Sequence, residues 1–267
     1  MKPWHLWVSV GAVLLFGFLL SQDAVARLAW HRFNRPDITL KLVRRDAGLA
    51  MLLGNYYFGQ TIGRSKYDLA KAELAFQKAV AADPDILWGH YQLARVIFLK
   101  ADYEEALAEI NAELAANPEN LRSLYVRGLI YGYRNLAGDL EKAEADFRRF
   151  TRWAPTEWAG YNDLTWILAK QEKNDEARNA LAEAFREVPD AERNPWLWNS
   201  LGVADLNLGS YRSAAAAFAR ARTLAGNLEP ADWRTAYPGN DPRQAEAGLQ
   251  AFRDAIAENL TRAEQTR

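Results

Sequence analysis

The chain has 267 residues, 49% apolar and 25% charged, and a formal net charge of −1, a composition that supports a folded core and excludes global disorder. Near-neutrality removes any strong attraction of the whole molecule to nucleic acid. There is no cysteine, which excludes disulfides, thiolate metal sites and cysteine nucleophiles, and the excess of alanine and leucine over β-branched residues indicates an all-helical protein.

The first element is an apolar run over residues 4–20, broken only by His5, Ser9 and two glycines. It is slightly shorter than the roughly 20 residues that cross a bilayer upright, and Trp4 and Trp7 suit a headgroup interface at one end. Lys2, the run and the small residues Ala24 and Ala26 also fit a cleavable export signal. The run exceeds a signal core of about 7–15 residues, so a retained single transmembrane helix over residues 1–22 is the expectation. Residues 23–46 follow as a basic juxtamembrane linker, in which Arg27 and Arg32 interleave with Leu28, Trp30 and Phe33. Arg27, Trp30 and Arg32 suit an interfacial helix on anionic lipid; an ordinary linker helix fits the same residues equally well. The basic flank favours a cytoplasmic array by the positive-inside rule, the signal-like layout favours export, and the extracytoplasmic side is the expectation.

From residue 47 to residue 227 one pattern recurs about five times. Small residues stand at Ala72, Ala106, Ala143, Ala177 and Ala214, spaced 34, 37, 34 and 37 residues apart. Four residues after each comes Phe76, Ile110, Phe147, Leu181 or Phe218, and a proline closes four of the units at Pro84, Pro118, Pro155 and Pro189. The alanine suits a close helix crossing, opposite Gly54, Ala94, Gly128, Thr165 and Gly202 on the preceding helix. The large residue is expected to fill the space between neighbouring units. Proline ends the second helix, having no amide hydrogen to continue it. Residues 59–68 lengthen the first unit and residues 134–139 the third. Residues 228–240 read as an irregular connection. Asp241 then caps a helix whose stripe is Ala245, Leu249, Phe252, Ile256 and Leu260, fit to cover the bare end of a stacked array.

The clearest copy is Trp198, Asn199, Ser200, Leu201 and Gly202, followed by Tyr211, Ala214, Phe218 and Ala221. It resembles the signature of the tetratricopeptide repeat, whose length is about 34 residues. The resemblance implies an all-α fold: a right-handed α-solenoid of helix pairs, here with a C-terminal capping helix over residues 228–267 and one transmembrane helix in front. First helices would line a concave groove. Carried over position by position, the groove takes Trp88, Tyr91, Arg95 and Phe98 from the second unit, and Arg122, Tyr125 and Leu129 from the third. Asn162 and Trp166 come from the fourth, Trp196, Asn199 and Val203 from the fifth, and Met51, Asn55 and Phe58 from the first. Rigid aromatics with a few amides and guanidinium groups are what protein-binding hot spots prefer. Met51 stands where a terminal-carboxylate clamp would need lysine, which speaks against that variant.

Residue types for chemistry are scarce. His5 lies in the apolar run, His31 in the basic segment, and His90 at an inward-packing position; none has the partners of an acid–base or metal site. Residues 59–65 lack the glycine spacing, lysine and preceding strand of a phosphate loop. Glu104, Glu105, Glu109 and Glu113 read as a solvated helix face. No catalytic, cofactor or metal site is expected, and neither a small-molecule substrate nor nucleic acid is an expected partner. The expected function is a membrane-tethered scaffold that recruits a protein or peptide, with membrane lipid at its N-terminus, in envelope complex assembly. The alternatives are a self-associating spacer or an accessory subunit of a separate glycan-processing enzyme.

Overall fold

The computed structural model describes residues 22–60 and 66–265. The apolar run with Trp4 and Trp7, and the loop over residues 61–65, lie outside the described residues. Among the described residues no helix is long and apolar enough to cross a membrane. The chain divides into two units, one ending at Lys100 and one beginning at Ala101.

The first unit holds α1 (helical over residues 22–31), α2 (Pro36–Leu42), α3 (Ala47–Tyr57), α4 (Leu69–Ala82) and α5 (Gly89–Leu99). Asp46 and Asp68 start α3 and α4 by accepting the amides of Leu49 (3.0 Å) and Lys71 (3.2 Å), which satisfies donors that a helix start leaves orphaned. The buried face of α3 (Leu49, Leu53, Gly54, Tyr57) and that of α4 (Ala72, Ala75, Phe76, Ala79) bring the two helices together as a pair. Residues 23–46 are built into this unit. Ala26, Ala29, Leu40 and Val43 are buried. The Asp23 carboxylate accepts the amides of Arg44 (2.7 Å) and Arg45 (3.1 Å), and Arg27 pairs with Asp46. Trp30 meets Tyr56 edge-on at 5.6 Å. Lys78 donates to the carbonyls of Leu40 (2.8 Å) and Val43 (2.9 Å) at the end of α2, where a cation satisfies orphan acceptors. Burial lowers the pKa of that ammonium.

The second unit runs α6 (Tyr103–Ala116), α7 (Leu121–Arg134), α8 (Asp139–Trp153), α9 (Trp158–Lys170), α10 (Asn174–Glu187), α11 (Pro195–Asn207), α12 (Tyr211–Gly226), α13 (Pro230–Ala236) and α14 (Ala245–Gln265). Each helix from α6 to α12 packs on the next. Helices α7, α9 and α11 also touch in succession, forming one layer, and α14 continues the stack on α12. In both units the predicted stops hold. Helices α4, α6, α8 and α10 end at Ala82, Ala116, Trp153 and Glu187, each two residues before a proline. The residue before proline is pushed out of helical conformation.

The repeating alanines and the large residues that follow them are all fully buried. The large residue, however, fills the crossing of its own helix pair and not only the space between units. A β-carbon added to Gly54 would lie 2.2 Å from the Phe76 ring, at Gly128 2.9 Å from Phe147, and at Gly202 2.5 Å from Phe218. The phenyl ring occupies the volume that the absent side chain vacates.

Three further departures have local causes. The connection over residues 228–240 contains α13, started by a reciprocal cap between Glu229 and Asp232 with Pro230 at the first position. Its Trp233 lies on α14, where a β-carbon at Gly248 would meet the indole at 2.2 Å. Glu113 is not on a solvated face; it is buried and accepts from Asn120 (3.0 Å). The lengthened turn at residues 134–139 is tied end to end. Arg134 makes two 2.8 Å bonds to Asp139, a third reaches Glu104, and Asp139 accepts the amide of Leu136 (3.0 Å). Asp139 is 1% exposed, and Arg134 holds its carboxyl below the usual carboxylate range. Asp139→Ala is expected to cost about 2 kcal/mol, because the half-buried Arg134 loses a two-bond counter-charge and the Leu136 amide loses its acceptor. A shift of the urea midpoint worth less than about 1 kcal/mol would refute this account.

Candidate functional site

Each unit presents its first helices separately. In the first unit, Trp88 takes a left-handed conformation (φ 66°) at the start of α5, unusual for so bulky a residue. Its indole meets Tyr91 edge-on at 5.3 Å. Tyr91 is buried, and the Arg95 guanidinium lies over it and over Phe58, 5.3 Å and 4.8 Å from the ring centres. Arg95 also donates to Gln92 (2.9 Å), which donates to Asn55 (3.1 Å). Phe58 is buried against Phe76, Met51 and Phe98 are half-buried, and His90 is half-buried rather than enclosed. Of this set, Trp88, Arg95 and Phe98 keep accessible surface, while Tyr91 and Phe58 serve packing.

In the second unit the layer of α7, α9 and α11 gathers a denser site. Sequence reasoning named Tyr125 and Asn162 but missed the residue that joins them. The Tyr125 hydroxyl donates to one oxygen of Asp163, and the Asn162 amide donates to the other at 3.0 Å. Ser200 of α11 donates to the Asn162 carbonyl at 2.8 Å. The bonds therefore run across all three helices. Asp163 is half-buried by area. Burial nonetheless pushes its carboxyl up to about 6, against a lowering by its two hydrogen bonds. Asp163 is thus closely surrounded by protein and yet still reached by solvent. Burial raises Tyr125 well above an ordinary phenol, and Asp163 adds to the rise.

Aromatic rings stand on the same two helices, α7 and α9. Tyr133 is 55% exposed and tilts against Trp166 at 5.0 Å. Lys170 lies over the Trp166 ring at 4.8 Å while donating to the Gly132 carbonyl (2.8 Å). The other carried-over residues divide. Arg122 is exposed, Leu129 and Val203 are half-buried against core residues, and Asn199 has a buried carbonyl oxygen without a donor. Trp196 is 8% exposed, stacked between Trp158 (5.2 Å) and Phe252 (5.3 Å). Its role is packing, as is that of Trp198, whose indole lies on Phe185 and donates to the Glu192 carbonyl.

Tyr237 was also missed. The turn after α13 brings its ring 6.5 Å from Trp196 and 5.1 Å from Trp233. Burial above all, with a smaller push from the Asp163 charge, raises this phenol to about 12. Among the described residues, no three His, Asp or Glu side chains gather as a metal would need.

No protein-family model matches the chain, and no curated protein is significantly similar to it in sequence. Solved structures are similar. PilW, a widely conserved type IV pilus biogenesis factor, superposes with a TM-score of 0.59 at 17% identity, over 82% of this chain and 98% of that one. YrrB, a tetratricopeptide protein with an unusual peptide-binding site, gives 0.54 at 18%, over 68% and 88%. A thermophilic tetratricopeptide protein of Thermus thermophilus gives 0.52 at 21%, over 76% and 99%. The fold is that of tetratricopeptide-repeat proteins. The layer of α7, α9 and α11 is thus the layer of first helices in the tetratricopeptide arrangement, and Asp163 lies on it. At such identities the likeness fixes the fold and assigns no residue a role.

Proposed function

We propose that this chain is a membrane-tethered scaffold that recruits a protein or peptide segment through the first-helix face of its second unit. The observation that carries the reading is the site around Asp163, where half-buried amides, a carboxyl and accessible aromatics converge on one face. A binding face uses aromatics for area and a few enclosed polar groups for orientation. The peptide-binding site named for YrrB and the pilus role named for PilW support a reading in which the array holds a client during assembly of an envelope complex. The apolar run over residues 4–20 is the tether, and the array lies on the extracytoplasmic side.

The test is photocrosslinking in the producing cell. A benzophenone amino acid replaces Arg122, which is exposed on α7, or Arg152, which is exposed near the end of α8. A discrete adduct formed from position 122 and absent from position 152 is the expected result. Adducts of equal yield from both would remove the face from consideration.

A further inference from the structure

Resting on the protein-binding reading, we infer that the Asp163 site receives a basic side chain, the guanidinium or ammonium of an arginine or lysine in the bound segment. Charge complementarity carries the argument. Asp163 has no lysine, arginine or histidine within ion-pair distance among the described residues, and its two oxygens take one hydrogen bond each, both from neutral donors. A carboxylate has about four acceptor positions, so half remain open. A second acceptor, the carbonyl oxygen of Asn199, is buried without a donor. It lies one turn along α11 from Trp196, the residue against which Tyr237 leans. Unused acceptors enclosed by protein call for a guest rich in N–H groups, and guanidinium offers five.

The rings around the carboxyl suit the same guest. Aromatic faces carry negative potential and attract cations within about 6 Å. The chain uses this mode nearby, where Lys170 covers Trp166. Tyr133 is largely exposed beside Trp166, and Tyr237 leans on Trp196. The guest's methylenes would lie along these rings with the charge at the Asp163 carboxylate. Burial that raises the Asp163 carboxyl also strengthens its pull on a cation once ionised. Neutral or acidic side chains gain none of this, so the site reads charge rather than size.

The probes are Nα-acetyl-arginine amide and Nα-acetyl-lysine amide, compared with their neutral counterparts Nα-acetyl-citrulline amide and Nα-acetyl-norleucine amide. The full chain in mild detergent is labelled with 5-fluorotryptophan, and the resonances of Trp166 and Trp196 are followed by fluorine NMR at pH 7.5. The cationic probes are expected to shift them saturably and to bind about tenfold more tightly than the neutral ones. In Asp163→Asn that preference should vanish. Equal response to charged and neutral probes, or no response to the charged ones, overturns the inference on the native chain alone, whatever the variant does. A preference surviving in Asp163→Asn overturns the role of that carboxyl. None of these failures touches the wider reading, which stands or falls by the adduct at position 122.

Discussion

Replacing Gly202 by threonine is expected to lower the unfolding midpoint in urea by an amount worth about 2 kcal/mol. Adding Phe218→Leu should return at least half of that loss. A β-carbon at Gly202 would stand 2.5 Å from the Phe218 ring, and that ring is fully buried, so it has nowhere to go. Threonine gains only a few tenths of a kcal/mol of helix propensity over glycine, too little to offset the clash. Phe218→Leu alone leaves a void and should cost about 1 kcal/mol. The double variant recreates a pair the chain already uses, because the fourth unit carries Thr165 with Leu181 where the fifth carries Gly202 with Phe218. Thr165 is buried there, its hydroxyl satisfied by the Tyr161 carbonyl at 2.8 Å. Additive effects of the two changes would show that the pair does not share one volume.

Asp163→Asn is expected to stabilise the protein at pH 7.5. An acid held at about 6 in the folded chain and near 3.9 when unfolded costs folding roughly 2–3 kcal/mol once both states are ionised. The sign follows from the raised value. Between these two pH values the folded state holds more protons than the unfolded one, so stability is greatest below about 4 and falls as pH rises through 6. Asparagine removes the ionisation but weakens the bond from Tyr125 and sets its own amide against that of Asn162, leaving a net gain of about 1 kcal/mol. Melting curves at pH 7.5 and 4.5 check this: the variant should gain at the first pH and not at the second. A loss at both would mean that the carboxyl is a structural strut. A gain at pH 7.5 alone would mean that the ionised carboxyl costs the fold stability, as groups placed for ligand binding commonly do.

The repeat was legible because its signals are local and periodic. Alanine, the aromatic four residues later and the closing proline each act within one helix pair, so spacing alone locates them. The match between glycine and phenylalanine was legible only as two separate columns; their complementarity is a matter of volume, which periodicity does not register. Asp163 was missed for a different reason. Next to Asn162 in the run Tyr161, Asn162, Asp163, Leu164, it looks like any surface acid, and only the arrival of Tyr125 from α7 identifies it. Tyr237 lay beyond the repeats in a stretch read as irregular. Glu229, Pro230 and Asp232 are a helix-start signal that was available and went unused. The segment over residues 23–46 showed its basic residues plainly, yet Ala26 and Ala29 carry its packing, and small residues at helical spacing give a weak sequence signal.

The clasp formed by Asp23 with the amides of Arg44 and Arg45, together with the pair between Arg27 and Asp46, has a mechanical consequence. Gln22 is buried and residues 22–31 are helical, so a pull applied at residue 22 enters α1 directly. It then acts as shear on the Asp23 clasp and on the face that holds α1 and α2 against α3. Within the first unit, α1 and α2 would resist such a pull together, as one bracket, and would not peel away helix by helix.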